Sequence, residues 1–156
     1  MQASEVEYAG FWVRVVAAVI DTLLIILVTL PLLFAIYGRA YFDDSRLFAG
    51  PADFLISFVA PAVAIIMFWL YKQATPGKML MSLHVVDAET GQTLSLGQSI
   101  GRYFGYFVST IPLALGLIWV GFDKRKQGWH DKLAGTVVVK SKVRGPAPVQ
   151  FPQQPT

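Results

Sequence analysis

The chain has 156 residues, 54% of them hydrophobic and only 15% charged, with a formal net charge of +3. That is one domain's worth of sequence, and it is more apolar than a soluble domain. It contains no cysteine, which excludes disulfides, thiol catalysis and thiolate metal sites.

The expected class is an all-α membrane protein: a small helical bundle with two full transmembrane helices, a third proline-broken apolar segment, and a small β-like excursion on the cytoplasmic side. Residues 1–10 read as a short lead-in. Residues 11–37 form the first span, longer than the roughly 20 apolar residues needed to cross a bilayer. It is too long, and too interrupted by Asp21, for a cleaved signal peptide, so it is expected to stay as an anchor. Asp21 costs about 2.5–3.5 kcal/mol at a helix centre, which the surrounding Leu, Ile, Val and Phe residues offset at about 0.3–0.6 kcal/mol each. A carboxylate kept inside a span at that cost is a candidate functional group. Arg14 lies two turns earlier on nearly the same side, with Ala17 and Ala18 between them leaving room for a neighbouring helix.

Residues 38–53 read as a solvated loop. The second span covers 54–71, with Pro61 at a packed kink and Trp69, Tyr71 and Lys72 as an aromatic-basic anchor. The stretch 74–97 changes character. Pro76-Gly77 signals a turn, 80–86 alternates like a strand, Asp87 to Gly91 reads as a hairpin turn, and 93–96 reads as the returning strand. The third apolar segment is 99–122, divided by Pro112, so it either crosses once or dips in and returns. Gly97, Gly101, Gly105 and Ser109 recur every four residues, a small-residue stripe suited to helix packing. Residues 136–139 are a further strand candidate. The domain plan is therefore a lead-in at 1–10, a membrane domain at 11–142 and a proline-rich, disordered tail at 143–156.

Loop charge sets orientation. If all three segments cross, Lys and Arg divide four against nine; if the third re-enters, they divide eleven against two. The second split is the more asymmetric, and it puts the strand-like pieces on one side where they can pair. It is the arrangement expected here, with the amino end and the basic carboxyl region both cytoplasmic. The basic residues between 124 and 144 then face lipid headgroups rather than nucleic acid.

Three blocks of sequence carry a resemblance. YAGFWVRVVAAVID, TPGKMLMSLHVVDAETGQTLSL and RKQGWHDKLAGTVVV, in that order, resemble RDD family membrane proteins, named for one arginine and two aspartates. Arg14 takes the arginine position, Asp21 the first aspartate and Asp131 the last, within the closing HD-x-hydrophobic-AGT-x-V signature. The likeness runs from about residue 8 to about residue 140. It implies an integral protein of a bacterial cytoplasmic membrane. Transport has been proposed for the family, and some members are linked to cation/proton exchange.

Arg14 lies about 10 Å from Asp21 along the helix, and its side chain leans toward the amino end, so Asp131 is its natural partner if the carboxyl region folds back. The candidate site is one polar cluster of Arg14, Asp21 and Asp131, with His130 and Arg102 around it. It either relays a proton or ligand, or serves only as polar glue fixing helix register. His84 and His130 without acidic neighbours at ligand spacing make no metal site, and no cofactor motif or nucleophile–base pair is visible, so no enzyme is expected. Trp12, Trp69, Trp119 and Trp129 lie near span ends and read as an interfacial belt. Two functions fit: a small transporter, which with so few helices implies a homo-oligomer, or an accessory or assembly subunit of a larger membrane complex.

Overall fold

A computed structural model describes residues 6–43 and 49–141. Strand β1 (Val6–Tyr8) leads into α1 (Phe11–Tyr37), which runs unbroken through Pro31. A short α2 (Ala40–Asp43) follows. The second long helix spans Pro51–Lys72. It comprises α3 (Pro51–Phe54), a π-helical turn at Leu55–Val59, and α4 (Ala60–Lys72). The sequence places a kink at Pro61; the irregularity observed is this widened turn just before it, where missing proline donors are accommodated. The helix also begins earlier than residue 54, so Asp53 belongs to its first turn.

Both long helices are long and apolar enough to cross a membrane. Of the 27 residues in α1 only Ala17 and Leu33 are buried. Leu, Ile, Val and Phe side chains line its outside, among them Leu23, Leu27, Val28 and Phe34. Such a surface is unstable in water and satisfied by lipid.

The packed core lies at one end of the bundle rather than between spans. Short α5 (Pro76–Leu80) leads into β2 (Leu83–Asp87). After β2 the Asp87 carboxylate closes a turn, accepting from the backbone N–H of Glu89 and Thr90 and from the side chains of Thr90 and Gln98. The Thr90 N–H is the largest contributor holding that carboxyl down at about 2. The returning strand expected at 93–96 is not formed. Ser95 instead caps α6 (Leu96–Thr110) in a reciprocal box with Gln98. The partner of β2 comes from the far end of the chain: β3 (Thr136–Ser141) pairs antiparallel with β2 on one side and β1 on the other, in the order β1-β3-β2. Residues 6–8, expected as a lead-in, are thus an edge strand, and the fold is mostly helical with a small sheet rather than all-α. Leu83, Val85 and Val138 from the sheet meet Ala9, Ala17, Trp69 and Leu94 in the core.

Between β2 and β3, α6 and the short α7 (Leu115–Ile118), with its 3₁₀ extension Trp119–Gly121, are bent by 112°. The bend carries Leu113 and Ala114 at positive φ. Helix α8 (Trp129–Leu133) then packs against α6 and feeds β3. Strands before α1, after α4 and after α7 share one sheet, so both ends of the bent pair lie at the same end of the bundle. The tail at 143–156 lies outside the described residues.

Candidate functional site

Two polar centres lie at the sheet end, and they divide the residues singled out by sequence. The first is built on Asp131. Its position in the first turn of α8 lets Oδ2 accept the Gly128 N–H at 3.0 Å, while Arg14 Nη1 reaches the same oxygen at 2.5 Å across 117 residues of sequence. Arg14 also donates through Nε to the Ala9 carbonyl at 3.1 Å and through Nη2 to the Lys126 carbonyl at 2.5 Å. Its guanidinium therefore ties the start of α1 to the loop before α8. Arg102 Nη1 forms an ion pair with Oδ1 of Asp131 and donates to the Thr136 hydroxyl at 2.5 Å. Arg102 and Asp131 are both fully buried. Burial alone pushes the Asp131 carboxyl up, but the Arg102 and Arg14 charges outweigh it and hold the group well below the usual carboxylate range. Arg102, which sequence reading places around the cluster, is a direct partner of Asp131.

His130 turns the other way. Its backbone N–H donates to Ser109 Oγ at 3.0 Å, its Nδ1 lies 3.3 Å from the same oxygen, and its ring stacks on Tyr106 at 4.1 Å between centroids. Burial pushes the imidazole down to about 3, with Arg102 and Arg14 adding to the effect against Asp131. His130 Nε2 is 3.5 Å from Asp131, so Ser109, His130 and Asp131 stand in line. All three are buried, and an imidazole that resists protonation this strongly is a poor base near neutrality. The row is packing between α6 and α8.

The small-residue stripe divides in the same way. A spacing of four advances 400° around a helix, so the stripe drifts by about 40° per step. Gly105 and Ser109 are buried under α8, where a Cβ on Gly105 would stand 2.9 Å from the His130 Cα. Gly97 and Gly101 are exposed, and a Cβ on Gly101 would meet nothing within 4 Å.

Asp21 forms the second centre, apart from Arg14 and Asp131. Its Oδ2 accepts the Thr75 hydroxyl at 2.5 Å and its Oδ1 the Gly77 N–H at 2.7 Å. Thr75 precedes Pro76 at the first position of α5, a cap-and-proline start whose sequence signal is the TPGK tetrad. Only glycine fits at 77, because a Cβ there would stand 2.2 Å from the Ala17 carbonyl oxygen. Lys78 is 8% exposed and donates to Thr75 at 3.4 Å. Asp21, Thr75 and Lys78 border a cavity of about 660 Å³ between α1, α4 and α6, walled by side chains such as Leu24, Val28, Ile56 and Phe107. Trp69 and Tyr106 close it toward Arg102, whose guanidinium lies 5.2 Å from the Trp69 ring and 5.8 Å from the Tyr106 ring. Sequence reading missed Thr75, Lys78, Trp69 and Tyr106 as members of a site. It also missed Asp53 at the opposite end, buried and accepting from Ala49 N–H, Ser57 and Tyr41.

Together these features define a small membrane protein with two apolar helices, the first of them tied to the end that carries the three-stranded sheet by an arginine–aspartate clasp. The RDD family model matches residues 8–135, and the chain belongs to the RDD family. It is 32% identical over 149 residues to the uncharacterized protein YxaI of Bacillus subtilis, covering 84% of this chain and 96% of that one. It is 30% identical to the uncharacterized membrane protein YteJ of the same organism, over 87% of this chain and 83% of the relative. A 41% identical match to the uncharacterized protein RP437 of Rickettsia prowazekii covers 49% of this chain and 42% of that protein. No solved structure matches the chain.

Proposed function

We propose that this protein is a small membrane transporter whose solute occupies the cavity between α1, α4 and α6, with Asp21, Thr75 and Lys78 as its polar end. The observation that carries this reading is Asp21 itself: an intramembrane carboxylate that takes only neutral donors and borders a cavity of ligand size. The clasp of Arg14, Asp131 and Arg102 holds the frame. Every described Lys and Arg except Arg39 lies at the sheet end, which by the positive-inside rule faces the cytoplasm of a bacterial inner membrane. The apolar bend at Ile111 and Leu113, more than 80% exposed, then dips into lipid and returns. One chain offers too few helices for a closed pathway, so the transporter is a homo-oligomer.

Purified protein in proteoliposomes tests the reading. Asp21→Asn assembles normally and loses solute flux; flux unchanged in that variant sinks the proposal. Tags at the two termini should be accessible from the same face, and opposite faces would overturn the re-entrant path. A second reading, an accessory subunit of a larger complex, is favoured by the uncovered Gly97 and Gly101 beside exposed Phe104 and Val108. A clean absence of flux together with a co-purifying larger complex would establish it instead.

A further inference from the structure

We propose that the cavity takes a single-chain amphiphile with a monoanionic head, a long-chain carboxylate, with its head at Lys78 and its tail along α1, α4 and α6. The proposal rests on reading the cavity as the solute site and names the class of solute.

Charge balance is the first argument. The groups enclosed around the two centres are Arg14, Lys78 and Arg102 against Asp21 and Asp131, three positive and two negative, a surplus of one positive charge. His130 adds nothing at neutral pH. Asp131 is taken by both arginines, while Lys78 has no carboxylate within ion-pair distance among the described residues. Its sole hydrogen bond there is the long one to Thr75, whose own proton already points at Asp21. A buried cation that reaches the Asp21 carboxylate only through the Thr75 hydroxyl is costly, and an anion in the adjoining cavity relieves that cost.

Hydrogen bonding points the same way. Trp69, in the cavity wall, has a buried Nε1 with no hydrogen-bond partner. That N–H is a donor, so this end of the cavity is short of an acceptor, which a carboxylate supplies. A metal cation meets the wrong charge here. The remaining walls are apolar, so a small hydrophilic anion gains nothing from them, whereas an alkyl chain does. The volume of about 660 Å³ lies within the range of single-ligand pockets, roughly 300–1,000 Å³.

The test uses the full chain purified in a neutral detergent, with oleate as probe and native mass spectrometry and thermal unfolding as readouts. Oleate should bind and raise the unfolding midpoint; oleyl alcohol and acetate, which lack the head or the tail, should bind at least about tenfold more weakly. Lys78→Gln should weaken oleate binding about tenfold to a hundredfold, and Lys78→Arg should restore most of it. Ala64→Trp, which fills the cavity and leaves the charges alone, should abolish binding while keeping a cooperative unfolding transition. Equal binding of oleyl alcohol, unaltered oleate binding by Lys78→Gln, or stronger binding of two-chain phosphatidylglycerol would each overturn the proposal. Asp21-dependent cation flux without oleate binding sinks this inference and leaves the transport reading standing. Oleate binding without any flux upholds the inference and removes transport.

Discussion

Asp131 and Asp21 are the same group in two settings. Asp131 is enclosed by two guanidinium groups and a backbone N–H, in a fully buried position where neither water nor ligand reaches it. Asp21 takes one hydroxyl and one backbone N–H, no cation, and lines a cavity. A buried ion pair of this kind contributes mainly by fixing how elements dock, and here it docks the carboxyl-terminal region against the amino-terminal helix. Asp21 is instead held by neutral donors at a cavity wall. The contrast leaves the scaffold role with Asp131 and places Asp21 at the cavity, although both fall in one sequence signature.

The largest expected effect breaks the scaffold side. Asp131→Asn leaves the buried Arg102 and the part-buried Arg14 without their counter-charge and should cost about 3–5 kcal/mol, read as loss of folded protein in detergent and a collapse of the unfolding midpoint. Next comes acid. The folded pKa of His130 is depressed from 6.5 to about 3, so the unfolded chain binds more protons between those values. Stability from this group is therefore present above about 6.5 and declines as pH falls toward 3, by at most about 1.4 kcal/mol per pH unit. Asp131, also depressed, adds its loss below its unfolded value near 3.8. Unfolding midpoints measured from pH 7 to 4 should fall, and His130→Gln should flatten that slope. An unchanged slope would remove the imidazole from the account.

Smaller effects sharpen the other side. Gly77→Ala forces a Cβ against the α1 backbone beside Asp21 and should cost about 1–3 kcal/mol, with solute binding reduced as α5 shifts. Gly101→Ala is the mirror case: its Cβ meets nothing, and the gain in helix propensity should stabilise the monomer by about 0.5–1 kcal/mol. If Gly101 packs against a second copy, the same change shifts the oligomer in native mass measurements, which locates the interface.

Hydropathy alone located the two long helices, because apolar runs of roughly 20 residues match the thickness of a bilayer. It also marked Arg14 and Asp21, since charge inside such a run is costly, whereas Asp131 was picked out by the closing signature shared with the RDD family. The Asp87–Gly91 turn was visible in local pattern, and so was the strand, read at 80–86 and formed at Leu83–Asp87. What local pattern mistook was the partner of that strand: residues 93–96 alternate like a strand, but Ser95 and Gln98 cap a helix there, and β3 arrives from 50 residues on. Strand pairing and ion pairing are long-range choices, made by which surfaces meet, and no periodicity within one element records them. The three signature residues were legible as chemistry. Only the tertiary structure decided that Arg14 and Arg102 close on Asp131, while Asp21 turns to Thr75, Gly77 and the cavity, because α5 approaches α1 closely enough at Gly77 to claim that carboxylate first.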